Sequence, residues 1–165
     1  MNQREIPNYW SGHCFGCSRT NSQGFKLRFW LSGRGCFTRC SIPDHLCGFD
    51  GLAHGGIIAT LLDEVAAWTI ISRLGKIGVT REMLVRYFKP VPTGAELLVE
   101  GQIISQEEKA VALRSTIHSA NKVLLAEGES TFLFPSLSSI ANITGADESM
   151  LKAFLTKYSQ PLCST

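Results

Sequence analysis

The residues best equipped for chemistry lie between Gly51 and Glu64, in the run Gly-Leu-Ala-His-Gly-Gly-Ile-Ile-Ala-Thr-Leu-Leu-Asp-Glu. His54, Gly55 and Gly56 come directly before a strongly apolar segment that reads as a helix. Glycines lack a side chain, so their amides can come close to a ligand oxygen. At a helix N-terminus those amides are unpaired and sit at the positive end of the dipole, which favours negative charge. This is the equipment for stabilising a developing oxyanion. Asp63 follows among Leu61, Leu62, Val65 and Trp68, where a carboxylate is costly unless it has a role or a partner. Its neighbour Glu64 reads as a solvated or salt-bridged surface group. His54 is expected to organise the turn through its ring rather than act as a base. His45 and His118 read as loop and strand residues without chemistry.

Spacing restricts how these groups can cooperate. Asp63 lies eight residues beyond Gly55, about 12 Å along a helix rising 1.5 Å per residue. A carboxylate that far away cannot act on a carbonyl held at its own helix start. If both groups serve one reaction, they come from two antiparallel helices in a two-fold dimer with two equivalent sites. Ala59, Ala66 and Ala67 are assigned to the Asp63 face, where small side chains permit close approach of a partner.

The elements that must position these residues are those of an α+β domain. Residues 25–31 alternate apolar and basic side chains and read as a first strand, with residues 36–42 as a second. Residues 43–51 form a loop rich in turn residues. One long helix runs from Gly55 to about Leu74, with Gly75 as its C-cap. Strands are expected over residues 79–88, 96–105, 110–118 and 123–134, with a sharp break at Pro90-Val-Pro-Thr-Gly. Strands in runs with a single long helix indicate an antiparallel sheet of about six strands wrapped around that helix. Residues 1–24 are assigned to an irregular segment, 25–135 to the domain, and 136–165 to an extension. In that extension Asp147 caps a short helix with an apolar stripe of Met150, Leu151, Phe154, Leu155 and Tyr158.

Composition sets the outer bounds. The chain has 165 residues, 44% of them hydrophobic, and a formal net charge of +2, enough for one domain with a core. No cluster of Lys and Arg marks a nucleic-acid surface. The apolar run from Val65 to Ile71 is far short of the roughly 20 residues a membrane span needs. The first residues carry no apolar signal-peptide core, so a cytoplasmic protein with reduced thiols is expected. Among six cysteines, Cys14 and Cys17 form a Cys-x-x-Cys. Zinc needs about four ligands, which Cys36, Cys40, Cys47 and His45 could in principle complete. Cys36 and Cys40 straddle a strand, however, and a tight turn lined by buried thiols is the expectation, with no metal. A redox role lacks a βαβ context, and Cys163 reads as an exposed thiol.

The order of elements, and His54-Gly55-Gly56 followed by Asp63, resemble the hotdog-fold acyl-CoA thioesterases. The likeness is greatest to the branch containing the phenylacetate-pathway thioesterases. Cys14-Phe-Gly-Cys17, Asn21, Gly24-Phe-Lys-Leu, Gly78-Val-Thr80 and Val85-Arg-Tyr-Phe-Lys-Pro90 also resemble segments of that family. The resemblance implies an acyl-CoA or acyl-carrier substrate, no cofactor, and a homodimer or dimer of dimers with sites at the subunit interface. It implies that Gly55 and Gly56 bind the thioester oxygen, that Asp63 is general base or nucleophile, and that Thr80 supplies a hydroxyl that holds water. Some relatives carry an Asn or Gln six residues before the His. Gly48 stands there in this chain, so that role is unfilled or passes to Asp50, with Phe49 between them on the substrate loop. Two alternatives are weighed beside hydrolysis. A hotdog hydratase or dehydratase would show an Asp/His pair that this sequence lacks. A non-catalytic acyl-CoA-binding module would bind thioesters without releasing thiol.

Overall fold

A computed structural model describes residues 4–158. Its centre is helix α1, Gly55–Leu74, gripped by an antiparallel sheet. The sheet strands are β1 (Glu5–Ile6), β2 (Phe29–Ser32), β3 (Gly35–Cys40), β6 (Val79–Tyr87), β7 (Leu97–Gln106), β8 (Ala110–Ser119) and β9 (Leu124–Leu133). Their spatial order is β1-β2-β3-β7-β8-β9-β6. Two further short strands, β4 (Cys47–Phe49) and β5 (Leu52–Ala53), pair with each other immediately before α1.

Helix α1 is apolar around most of its circumference because the sheet curls about it. Leu61, Leu62, Val65, Ala66 and Ile70 are fully buried, and Trp68 stacks on Phe29 with ring centroids 5.1 Å apart. The crossing of helix and sheet is close at Gly101 of β7, where an added Cβ would lie 2.6 Å from Thr69 Oγ1 and 2.9 Å from Val65 O. The helix ends as expected at Gly75, whose φ of 59° turns the chain out and whose amide reaches Ile71 O at 3.1 Å. Ala66 packs inward against Val111, Leu113 and Phe132, so it leaves the face assigned to it. Ala59 and Ala67 remain half-buried beside Asp63.

The element order matches the expectation, with local differences. The first long strand begins at Phe29 rather than Phe25. Lys26 has φ 53°, which extended backbone cannot accommodate, and Phe25 and Leu27 instead donate to the carbonyls of Phe15 and Gly16. The segment before residue 25 holds one strand, since Glu5 and Ile6 pair with Trp30 and Phe29. Sequence periodicity cannot reveal a two-residue strand. In the C-terminal part an additional helix, α2 (Leu137–Thr144), is capped by Ser136 and precedes α3 (Glu148–Thr156), capped by Asp147 as expected. Helix α3 buries Leu151 and Phe154, and Phe154 and the following Tyr158 meet the N-terminal segment. Phe154 meets Trp10 edge-on, and the Tyr158 hydroxyl donates to Pro7 O at 2.6 Å.

Among the described residues strand β6 sits at the end of the sheet and pairs only with β9. Val79, Leu84 and Tyr87 on it are each more than half exposed. Among the described residues no helix is long and apolar enough to cross a membrane. Cys163 lies outside the described residues.

Candidate active site

The start of α1 is built by His54. Its extended backbone makes it the N-cap, and its Nδ1 accepts the Gly56 amide at 3.0 Å. The His54 carbonyl takes the amides of Ile57 and Ile58. Gly56 is therefore occupied by capping rather than free for a ligand, unlike the expectation for it. Among the described residues no hydrogen bond uses the Gly55 amide, so Gly55 alone retains an open donor at the helix start. The Tyr87 hydroxyl donates to Gly55 O at 3.0 Å and ties β6 to the turn.

An open groove of about 590 Å³ leads to this turn, lined by Gly48, Phe49, His54, Gly55, Ile58 and Tyr87, with Phe88, Lys89 and Pro90 beyond them. Phe49 is 81% exposed and stands at its wall. Gly48 lies against His54, whose Cα would be 3.3 Å from an added Cβ. Asp50 is exposed and is not part of the lining. Lys89 is the one Lys, Arg, Asp or Glu among the lining residues.

Asp63 lies two turns further along α1, half-buried, and accepts the Thr80 hydroxyl on Oδ1 at 2.7 Å. The structure thus joins two residues that are seventeen positions apart in sequence. Loss of hydration pushes the Asp63 carboxyl up from its ordinary value, and the Thr80 bond opposes that rise. Thr80 sits where β6 slips register between Thr80 and Glu82, an irregularity that re-aims a strand side chain. The second carboxylate oxygen of Asp63 takes no hydrogen bond among the described residues. Because α1 is continuous, the Gly55 amide and the Asp63 carboxylate of one chain stand about 12 Å apart along the axis.

Glu64 corrects the sequence reading. It is not a solvated surface group: the Cys14 thiol donates to its Oε1 at 3.0 Å, and burial pushes its carboxyl up to about 8. The Cys17 thiol bonds toward Cys14 and pulls the Cys14 thiol down to about 5, while burial opposes this. Cys17 moves up, because it serves that bond and is itself buried. The Cys-x-x-Cys turn therefore rests on α1 one residue from Asp63. The motif was visible in the sequence, but an irregular segment carries no periodicity that could dock it on a given helix face. Tyr87 was likewise missed, since strand alternation does not reveal a hydroxyl reaching a helix start.

Residues 50–126 match the family model of the thioesterase superfamily. The chain is 31% identical over 90 residues to acyl-coenzyme A thioesterase THEM4 of Mus musculus, covering 54% of this chain and 38% of that protein. It spans less than two thirds of the length of each curated relative it matches. In fold it is similar to a Streptococcus mutans UA159 protein bound to acetyl CoA, with a TM-score of 0.62 and 23% identity over 67% of this chain and 89% of that one. It is also similar to the E. coli PaaI protein of the phenylacetic acid degradation operon, with a TM-score of 0.63 and 13% identity over 68% of this chain and 81% of that one. The single helix wrapped by an antiparallel sheet gives the chain the hotdog fold of these structures, and residues 50–126, which hold α1 and the strands β6 to β8, are similar in sequence to the thioesterase superfamily.

Proposed function

We infer that this chain hydrolyses acyl-CoA thioesters to free acid and thiol, at sites each shared by two copies of the chain. The observation that carries this reading is the Asp63–Thr80 pair on the same helix that presents the open Gly55 amide. Asp63 acts as general base. Its free oxygen takes a proton from water while the water oxygen adds to the thioester carbonyl. The Thr80 hydroxyl holds the carboxylate, and negative charge on the carbonyl oxygen meets the Gly55 amide of the partner subunit at its helix start. Collapse of the tetrahedral intermediate breaks the C–S bond and expels the CoA thiolate.

The 12 Å separation within one helix supports the two-chain site, as do the outer edge of β6, unpaired among the described residues, and its exposed apolar side chains. A CoA substrate is supported by the groove at Gly55, which has apolar walls and the Lys89 cation, and by the acetyl CoA in the Streptococcus mutans structure. The test is release of free thiol from acyl-CoAs of short, long and aromatic acyl groups. Turnover of at least one by the wild type is expected. Asp63→Asn should lower kcat by roughly 10²- to 10⁴-fold, the range for loss of a general base. Tight acyl-CoA binding without thiol release would replace this reading with a binding module.

A further inference from the structure

A second constellation lies beside the proposed catalytic groups and takes no part in that chemistry. The sulfurs of Cys14 and Cys17 and a carboxylate oxygen of Glu64 all lie within 4.8 Å of one another. We propose that these three residues bind a zinc ion that clamps the N-terminal segment onto α1.

The local geometry favours a metal in several respects. Residues 14–18 close a tight turn, with the Ser18 amide on Cys14 O at 3.0 Å. The Gly16 amide donates to Cys14 Sγ at 3.3 Å. An amide donating to a sulfur favours a thiolate, the form in which cysteine ligates a metal. Gly16 lies against the Glu64 side chain as it stands: a Cβ there would be 2.3 Å from Glu64 Cδ. The turn is fixed from outside as well, by the Asn8 amide on Cys17 O at 2.8 Å and by the Leu27 amide on Gly16 O at 3.0 Å. Among the described residues no ion pair involves Glu64. Three groups that are anionic when deprotonated thus face one point, and no Lys or Arg compensates them.

Two thiolates and one carboxylate select zinc over magnesium or calcium, which take oxygen ligands. Three protein ligands leave the fourth tetrahedral position to water. A Cys14–Cys17 disulfide is the competing fate of the turn. It would consume the thiol that donates to Glu64 and leave a buried carboxyl without its partner, at a cost. The ligand set differs from the one the sequence suggested. Cys36 is buried elsewhere, bonded to Thr69 and Val65 O, and Cys40 and Cys47 join no cluster of ligands among the described residues.

The full chain, purified under reducing conditions without chelator, should contain about one zinc per chain by elemental analysis. Cobalt added to the apoprotein should give a thiolate-to-metal charge-transfer band. Competition with a chromophoric chelator should show at least tenfold weaker zinc affinity for Glu64→Gln and for Cys14→Ser, and unchanged affinity for Cys40→Ser. The wild-type measurements do not depend on any variant folding. Failure of the reduced wild type to bind zinc or cobalt, or its isolation as a Cys14–Cys17 disulfide that ignores added zinc, would overturn the proposal.

Discussion

Asp63 and Gly55 divide the proposed chemistry at the level of single residues, and substitutions separate them from the structural role of His54. An added Cβ at Gly55 would meet the Tyr87 hydroxyl at 3.5 Å, an ordinary contact, so a side chain there is tolerable to the fold while it fills the mouth of the groove. Gly55→Val should therefore lower kcat by roughly 10²- to 10³-fold, comparable to loss of one oxyanion donor, with little change in Tm. His54→Ala removes the acceptor of the Gly56 amide. It should destabilise the chain by about 1 kcal/mol, typical of a lost N-cap, as read by urea denaturation. The opposite pattern, a stability loss at Gly55 and none at His54, would mean that the cap is held by other groups. These residues were legible in the sequence because their types are improbable where they stand, as Asp63 is in an apolar run. The Glu64 environment was not legible. Its burial comes from a turn fifty residues away, and a single helix period cannot say what lands on an outer face.

At the level of elements, the long helix and the later strands could be read from the sequence, because their apolar spacing repeats over ten or more residues and the caps stand where physics requires them. Elements stabilised by their surroundings could not. Strand β1 exists through two pairings with β2. The 25–27 stretch alternates like a strand, yet Lys26 turns it away. Helix α2 has no buried residue, so no apolar stripe announces it. The fit of α1 into the sheet hinges on Gly101, where the helix backbone and Thr69 leave no room for a methyl group. Gly101→Ala should cost about 1–3 kcal/mol through overpacking, measured by chemical denaturation. A neutral substitution would show that the helix can lift from β7 without penalty.

For the whole molecule, the central claim is that one chain lacks a complete site. Among the described residues strand β6 ends the sheet with an unpaired edge, and Asp63, Ala59 and Ala67 are half-buried, so a second copy can bring its own Gly55 turn to this carboxylate. The direct measurement mixes Asp63→Asn protein with Gly55→Val protein, each inactive alone, under conditions of verified subunit exchange. At equal amounts, half of the dimers are hybrids, and each hybrid has one intact and one doubly altered site. About a quarter of wild-type thiol release should return. Activity that stays at the level of the separate variants, despite exchange, would contradict a site built from two chains.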